Sequence, residues 1–269
     1  MTTAADSVSW LGAGSSSISA APGAGGRPAA PAKATELYNK PSSNYDFKLA
    51  QAQAVLEMAA SHGPVTLANS LGAEDVVLHH LINSLKLDIP VFVLETGALH
   101  RETLALLERS QAFSRTPVHV FRPRQDAVLH FIRNEGQDAM YRSIALRKAC
   151  CGIRKMEPLA RALAGKKGWI TGLRREQSNA RADVPLVDES EVPSKGLTKY
   201  NPLAEWTQGD VWHYIATQGV DYNPLHDQFY PSIGCAPCTR AVSLGEDFRA
   251  GRWWWESEDA KECGLHVKT

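Results

Sequence analysis

The sequence has no surplus of charge of either sign, because 29 Lys and Arg residues balance 29 Asp and Glu residues. A general affinity for nucleic acid or for a membrane surface is therefore not expected, and local basic clusters must bind any anion. The sequence also lacks an internal repeat and an apolar run long enough to cross a bilayer. What remains is a globular chain, 43% hydrophobic, with enough residues for one α/β domain of ordinary size and its extensions.

Cysteine is scarce, with five residues in the chain, and no secretory segment accompanies them. An odd number of cysteines in such a sequence argues against a disulfide framework. We therefore expect a reducing, cytoplasmic location and a metal or redox role for the thiols.

The amino-terminal stretch to about Lys33 is rich in Ala, Gly, Ser and Pro, and it cannot bury enough apolar surface to order itself. We predict a disordered extension over residues 1–40. An organelle transit peptide is the alternative, but Asp6 and the scarcity of Arg argue against it. Structure is expected to start near Tyr45, with a nucleotide-binding domain over 41–245 and a mobile carboxy-terminal tail over 246–269.

Short apolar runs alternate with amphipathic segments between Tyr45 and Gly172. The predicted strands are Val65–Ala68, Pro90–Leu94, Val118–Phe121 and Trp169–Gly172, and the predicted helices are 47–62, 74–82, 102–111, 127–134 and 157–163. This alternation predicts an α/β fold with right-handed connections and a mostly parallel, Rossmann-like sheet. After Arg181 we expect one more helix, Thr207–Ala216, and then an irregular segment around a metal site.

Three loops follow predicted strands and should meet at the carboxyl edge of the sheet, where ligands bind in such folds. Ser70–Asp75 has a glycine before a helix, which suits an anion, although such turns often serve packing alone. Leu94–Gly97 ends a predicted buried strand with the carboxylate of Glu95 and suits nucleotide recognition, with an ordinary turn as the alternative. Gly172–Ser178 and Arg181 carry guanidiniums suited to phosphate or sulfate, unless they form only a solvated charge run.

Four of the cysteines form two close pairs, Cys150-Cys151 and Cys235-Ala236-Pro237-Cys238. A disulfide between sequence neighbours is strained, whereas adjacent thiolates can bind different atoms of one iron–sulfur cluster. Structural zinc is the main alternative, but an adjacent pair is unusual for it; buried cysteines without a metal are the third reading.

The fifth cysteine, Cys263, lies near the end of the chain in Glu262-Cys263-Gly264-Leu265-His266. A nearby cation or imidazole lowers the pKa of a thiol and favours the nucleophilic thiolate. We interpret Cys263 as a reactive thiol, although a lone cysteine near a chain end is often incidental.

Together these stretches resemble the assimilatory sulfonucleotide reductases, specifically the cluster-containing adenylyl-sulfate (APS) reductases. The matching segments are 70–75, 94–97, 150–155, 172–178, 234–238 and 262–266, of which the paired cysteines joined to the Glu-Cys-Gly-Leu-His tail are the most specific. The resemblance implies the adenine nucleotide alpha hydrolase (ATP-pyrophosphatase) type of fold. The phosphate loop departs from the Ser-Gly-Gly-x-Asp-Ser form of that superfamily at Leu71, Glu74 and Asp75.

The resemblance also implies a reaction, in which Cys263 attacks the sulfate of APS, releases AMP and becomes S-sulfocysteine. Thioredoxin then releases sulfite, in a pathway of sulfate assimilation and cysteine biosynthesis. Lys155 and His266 would assist Cys263, and a 4Fe–4S cluster would be bound by Cys150, Cys151, Cys235 and Cys238. The implied substrate contacts are Ser70, Gly72, Glu74, Glu95, Thr96, Gly97, Arg174, Arg181, Arg249 and Arg252.

Two other activities remain open from the sequence. The cluster-free relatives reduce the 3′-phosphorylated substrate, PAPS, and some cluster-containing members accept both substrates, so PAPS reduction or dual specificity is the first alternative. An adenylating enzyme of the ATP-pyrophosphatase type is the second, but Leu71 and Cys263 argue against it. We expect a homo-oligomer, with no nucleic-acid or membrane partner.

Overall fold

The computed structural model describes residues 32–243 and 245–257. The helices are α1 (Ala34–Leu37), α2 (Tyr45–His62), α3 (Ala73–Ser84), α4 (Arg101–Phe113), α5 (Gln125–Glu135), α6 (Ile144–Cys151), α7 (Glu157–Leu163), α8 (Val192–Lys195) and α9 (Gln208–Gln218). The strands are β1 (Val65–Ala68), β2 (Val91–Leu94), β3 (Val118–Phe121), β4 (Gly168–Ile170), β5 (Val187–Asp188) and β6 (Thr198–Tyr200). In the part of the chain that the structure describes, no helix is both long and apolar enough to span a membrane.

Within the described residues, the strands form one six-stranded sheet in the order β3-β2-β1-β4-β6-β5. All neighbouring pairs are parallel except β5 and β6, which are antiparallel. The predicted α/β fold with a mostly parallel sheet is therefore confirmed. The chain order reverses between β1 and β4, and a crevice is expected beyond the carboxyl ends of strands at such a reversal.

Side chains of the strands alternate between two apolar layers, as the two-residue repeat of a strand requires. Val91 and Val93 of β2 pack into the larger core with residues of α2, α3, α4 and α9. Phe92, between them, points to the other face and packs with Leu159 of α7 and Trp169 of β4. Both faces are thus covered by helices, and the strand ends remain accessible.

Two strands, β5 and β6, and three helices, α1, α6 and α8, were not predicted. β6 has only three residues, and a charged one, Lys199, lies in its centre. Lys199 is nevertheless buried, with its ammonium 5.2 Å from the ring centroid of Trp169. α6 continues through a π-helical segment, Gly152–Met156, into α7. These elements are held by tertiary contacts, and an apolar repeat in the sequence does not mark them.

Ordered structure also begins before Tyr45, so the predicted start is too late. The backbone amide of Ala34 in α1 donates to Asp227 Oδ1 at 2.7 Å, and the Tyr38 ring lies 6.2 Å from that of Trp212. α1 has a single turn and is fixed by these distant partners, which a local sequence pattern cannot indicate.

The described part of the predicted tail is packed on the domain. Trp253 is 1% exposed, and the carbonyl of Gly251 accepts a hydrogen bond from the amide of Arg240. A Cβ on Gly251 would lie 2.3 Å from the Arg240 carbonyl oxygen. Gly251 therefore permits a close backbone approach, within the stretch that the sequence analysis assigned to a mobile tail.

Candidate functional site

A crevice of about 200 Å³ opens beyond the carboxyl ends of β1, β2 and β4. Most of the residues that the sequence selected for anion or nucleotide contact line it. They are Ser70, Gly72, Glu74, Thr96, Lys155, Arg181, Arg249 and Arg252. Segments distant in sequence thus converge at the sheet edge, as the strand alternation predicted.

The loop from β1 to α3 is held in shape by side chains within it. Leu71 has a φ of +64°, an unusual value for a residue with a side chain. Its amide donates to Asn69 Oδ1 at 2.7 Å, and both the amide and the hydroxyl of Ser70 donate to Asp75 Oδ2 at 2.7 and 2.6 Å. These bonds fix the loop before the first turn of α3, where free amides favour an anion.

Asp75 is a buried carboxyl in the crevice wall that the sequence reasoning did not select. Burial raises its pKa to about 6, against the opposing hydrogen bonds from Ser70. Gly172 allows this placement, because a Cβ there would lie 2.3 Å from Asp75 Oδ1. The position of Asp75 at the start of a helix after the loop was the one available sign.

Glu74, which lines the crevice, forms an ion pair with Arg174, which does not. Arg174 Nε donates to Glu74 Oε1 at 2.9 Å, and its Nη1 donates to Glu176 Oε2 at 2.8 Å. Burial acts to raise the pKa of Glu74, but the Arg174 charge and hydrogen bonds outweigh it and the net pKa is lowered. Arg174 does not line the crevice, so its predicted role as a substrate contact is replaced by a role in holding the loop.

Glu95 and Gly97 lie outside the crevice as well, along a separate surface depression. Glu95 accepts a hydrogen bond from Arg122 Nε at 2.9 Å and another from the amide of Gly97 at 2.6 Å. Thr96, between them, points the other way and lines the crevice. The alternation of side chains beyond β2 therefore separates the three predicted contacts.

Among the residues that the structure describes, four Lys and Arg side chains face the crevice: Lys155, Arg181, Arg249 and Arg252. The three arginines are each less than 9% exposed. Arg181 Nη1 donates to Gln177 Oε1 at 2.6 Å, and Arg252 Nη1 contacts Ser232 Oγ and the Ile233 carbonyl at 3.3 Å. Such a group of partly desolvated cations is suited to a multiply charged anion.

One wall of the crevice is apolar, and the sequence reasoning did not identify it. Phe92, Leu94, Leu159 and Trp169 contribute side chains to this wall. A flat apolar wall beside a cationic group matches a ligand with a ring system at one end and an anion at the other. His226 also lines the crevice, and burial lowers the pKa of its imidazole.

The four paired cysteines meet beside this crevice. Cys150, Cys235 and Cys238 are buried in one cluster with Met140 and Trp253, and Cys151 is half-buried. The hydroxyl of Thr96, which lines the crevice, lies 3.2 Å from Cys235 Sγ. Two sequence segments thus bring Cys150, Cys235 and Cys238 into one buried cluster, and Cys151 is near enough to raise the pKa of the Cys238 thiol.

The environment of these thiols does not by itself favour thiolates. Burial, followed by the neighbouring Cys235 and Cys151, raises the pKa of Cys238 to about 12, against the charges of Lys155 and Arg252. Burial also raises the pKa of Cys150, against the charge of Arg154. A metal centre would displace these protons on binding, and four converging sulfurs with adjacent cations fit an iron–sulfur cluster. Among the described residues, no group of three or more His, Cys, Asp and Glu side chains is arranged to hold a single metal ion.

Lys155 connects the two parts of the site. It lines the crevice, and its positive charge lowers the pKa of Cys150 and Cys238, whose burial raises it. Cys263 and His266, predicted to be catalytic, lie outside the described residues.

The fold and site define an α/β protein with an anion crevice beside a four-cysteine centre, and comparisons with known proteins give its family. Residues 64–241 match the family model described as the phosphoadenosine phosphosulfate reductase domain. Adenosine 5'-phosphosulfate reductase of Burkholderia cepacia is 51% identical over 213 residues, 79% of this chain and 84% of that protein. The enzyme of the same name from Allochromatium vinosum is 50% identical over 202 residues, with 75% and 78% covered.

A solved structure agrees with these matches. The phosphoadenylyl-sulfate (PAPS) reductase from Candida auris, in a phosphate complex, superposes with a TM-score of 0.60 at 25% identity, over 71% of this chain and 90% of that one. The chain therefore belongs to the phosphoadenosine phosphosulfate reductase family.

Proposed function

We propose that this protein reduces adenylyl sulfate to AMP and sulfite in sulfate assimilation, the step that leads to cysteine biosynthesis. The observation that carries the proposal is the position of Lys155. This residue lines the cationic crevice, and its charge also lowers the pKa of Cys150 and Cys238, which burial raises. The relatives at about half identity carry the name of this activity.

The substrate has a ring system at one end and a phosphosulfate at the other, and the crevice offers a partner for each. The adenine would lie against the apolar wall near Trp169, and the phosphosulfate among Lys155, Arg181, Arg249 and Arg252. The amides at the start of α3 would assist in holding the anion. Ser70, Gly72 and Thr96 complete this part of the site.

In the first chemical step, the Cys263 thiolate attacks the sulfate sulfur and forms a sulfur–sulfur bond. The bond from that sulfur to the bridging oxygen breaks, and AMP leaves with the electron pair on its phosphate. The crevice cations stabilise this developing charge, which is where a preorganised site lowers a barrier. His266 would favour the thiolate form of Cys263.

In the second step, one thiolate of reduced thioredoxin attacks the sulfur of Cys263 and sulfite leaves. The second thioredoxin thiol then releases Cys263 as a thiol and closes the thioredoxin disulfide. Two electrons thus pass from two thiols to the sulfur that becomes sulfite, by exchange chemistry alone. We place the reaction in the cytoplasm and expect the enzyme to act as a homo-oligomer.

A 4Fe–4S cluster held by Cys150, Cys151, Cys235 and Cys238 would supply fixed charge and architecture beside the crevice. The adjacency of Cys150 and Cys151 supports this cofactor, because adjacent thiolates can bind different iron atoms. The residues that act on substrate remain those of the crevice and the tail. The proposed organisation is an extension that ends before α1, a reductase domain from Ala34 to residue 245, and a nucleophile-bearing segment over 246–269.

Reduction of PAPS, alone or beside APS, is the second candidate, because the Candida auris relative carries that name. Competition between the two substrates separates the candidates, and we expect a higher kcat/KM for APS. An equal or reversed preference would favour the second candidate.

The decisive experiment is anaerobic incubation of the full chain with sulfur-labelled APS and no reductant. Mass analysis should find one SO3 group on Cys263 and one equivalent of AMP in solution. The Cys263→Ser variant should bind APS but form no adduct, and it should release no sulfite when reduced thioredoxin is added, under conditions in which the wild type does. Sulfite release by that variant at the normal rate would refute the mechanism.

A further inference from the structure

A buried ion pair joins the cysteine-bearing helix to the carboxy-terminal segment. Arg147 Nε donates to Glu256 Oε1 at 2.9 Å, and Arg147 Nη2 donates to Glu256 Oε2 at 2.6 Å. The two side chains are 1% and 3% exposed. Arg147 lies one helical turn before Cys150 in α6. Neither residue lines the crevice, and the reaction described above does not use either of them.

Such a pair is difficult to open. Separating two charges that are out of water leaves each without its partner, and this is strongly unfavourable. The two parallel hydrogen bonds also fix the relative orientation of the planar groups. Residue 256 is therefore fastened to α6.

Trp253 extends this contact toward the crevice. The Arg147 guanidinium carbon lies 4.5 Å from the centroid of the indole, and that of Arg252 lies 4.8 Å from the same centroid. Trp253 has a φ of +43°, which is rare for an aromatic residue, and the two guanidinium contacts hold its backbone in this conformation. Its amide donates to the Cys238 carbonyl at 3.2 Å.

Arg252 then reaches the crevice. Its guanidinium lies over Gly234, where a Cβ would come within 2.5 Å of Nη2. It is 7% exposed and is one of the crevice cations. A continuous series of contacts thus runs from Glu256 through Arg147 and Trp253 to Arg252.

We propose that Arg147 and Glu256 are positioning residues for Arg252, and that they fix the start of the segment that leads to Cys263. Loss of the pair should therefore weaken binding at the anion end of the crevice, near Arg252, and not at the apolar end, near Trp169. The inference rests on the proposed function only for the choice of AMP as the anionic ligand.

Binding of AMP and of adenosine to the full chain, purified anaerobically, tests the proposal. Arg147→Lys keeps the charge but loses the fork and the stacking of a guanidinium, whereas Glu256→Gln removes the charge. Glu246→Gln is the matched control, because Glu246 pairs with Arg240 at 2.8 Å in the same segment but is 33% exposed.

In calorimetry, both variants should weaken AMP binding at least fivefold and leave adenosine binding within twofold of the wild type. The control should match the wild type for both ligands. Unchanged AMP affinity in both variants would overturn the proposal, and so would a parallel loss of adenosine affinity, which marks a general structural defect. If Glu256→Gln fails to fold, the AMP and adenosine affinities of Arg147→Lys alone test the proposal.

Limited trypsin digestion gives a readout that is independent of the ligand. Arg252 is a trypsin site that is buried in the wild type, and both variants should be cut there at least fivefold faster. Equal cleavage rates would contradict the inference even if the protein bound no nucleotide, whereas absent AMP binding by the wild type would count against the proposed function alone.

Discussion

Arg174 and Glu74 meet across 2.9 Å behind the loop that precedes α3. Their side chains are 2% and 14% exposed, so this ion pair is largely out of water. It ties the segment after β4 to the first turn of α3. The Arg174 guanidinium, which the sequence analysis assigned to substrate binding, therefore pairs with a carboxylate of the protein instead.

We predict that Arg174→Ala destabilises the fold by about 3–5 kcal/mol, because Glu74 is left buried without its partner. Arg175→Ala is the control, since its pair with Glu205 is 42% and 33% exposed and such pairs contribute about 1 kcal/mol or less. Urea unfolding measures both. Equal stability of the two variants would contradict this structural role and leave substrate binding as the function of Arg174.

The buried Asp75 carboxyl predicts a pH dependence of stability. Burial raises its pKa from 3.8 to about 6, so the folded state binds this proton more tightly than the unfolded state. The contribution of Asp75 to stability therefore falls as the pH rises from about 4 to about 6, by on the order of 3 kcal/mol, and is constant above.

Asp75→Asn should remove this slope. The unfolding free energy of the wild type minus that of the variant should fall between pH 4 and 6, when urea unfolding is compared at each pH. Other titrating groups cancel in the difference. Parallel profiles for the two proteins would show that Asp75 is not perturbed in this way.

Replacing any of Cys150, Cys151, Cys235 or Cys238 by Ser should remove iron and the absorbance near 400 nm, roughly where iron–sulfur clusters absorb. Activity should be lost with it. Cys263→Ser is the control, and it should keep both iron and absorbance. Stoichiometric zinc without iron in anaerobically purified wild-type protein would reject the cluster.

Lys155→Ala should slow formation of S-sulfocysteine by about 10²–10³-fold in single turnovers, or ~2.7–4 kcal/mol, as for loss of one preorganised donor. Lys148→Ala is the control, because Lys148 precedes the same cysteines but is exposed on α6. A rate for Lys155→Ala within about threefold of the wild type would limit Lys155 to a structural counter-ion.

Much of the sheet and its edge could be predicted because local patterns determine them. β1, β3 and α7 have the predicted bounds, and the loops after β1, β2 and β4 meet as parallel strands require. The direction in which each side chain points just beyond a strand end was harder to predict from the sequence. Glu95 and Thr96 are neighbours in sequence, yet one faces Arg122 and the other faces Cys235.

Other features depend on partners far away in the chain. β6 is stabilised by pairing with β4 and β5, and its central Lys199 gives no strand signal. The burial of Asp75 depends on the missing side chain of Gly172. The sequence selected most of the polar residues that line the crevice, whereas the distinction between Arg174, which does not line it, and Arg252, which does, required their three-dimensional neighbours.

The ion pair between Glu256 and Arg147 sets an upper limit on the distance between Cys263 and this anchored residue. Cys263 follows Glu256 by seven residues, so whatever path the chain takes, the α-carbon of Cys263 stays within about 25 Å of that of Glu256. A thiol confined to so small a sphere has an effective concentration of tens of millimolar, as expected for a short tether. In the proposed mechanism this anchor would keep the Cys263 nucleophile close to the crevice at all times, and thioredoxin would have to approach within the same radius to attack the Cys263 sulfur and release sulfite.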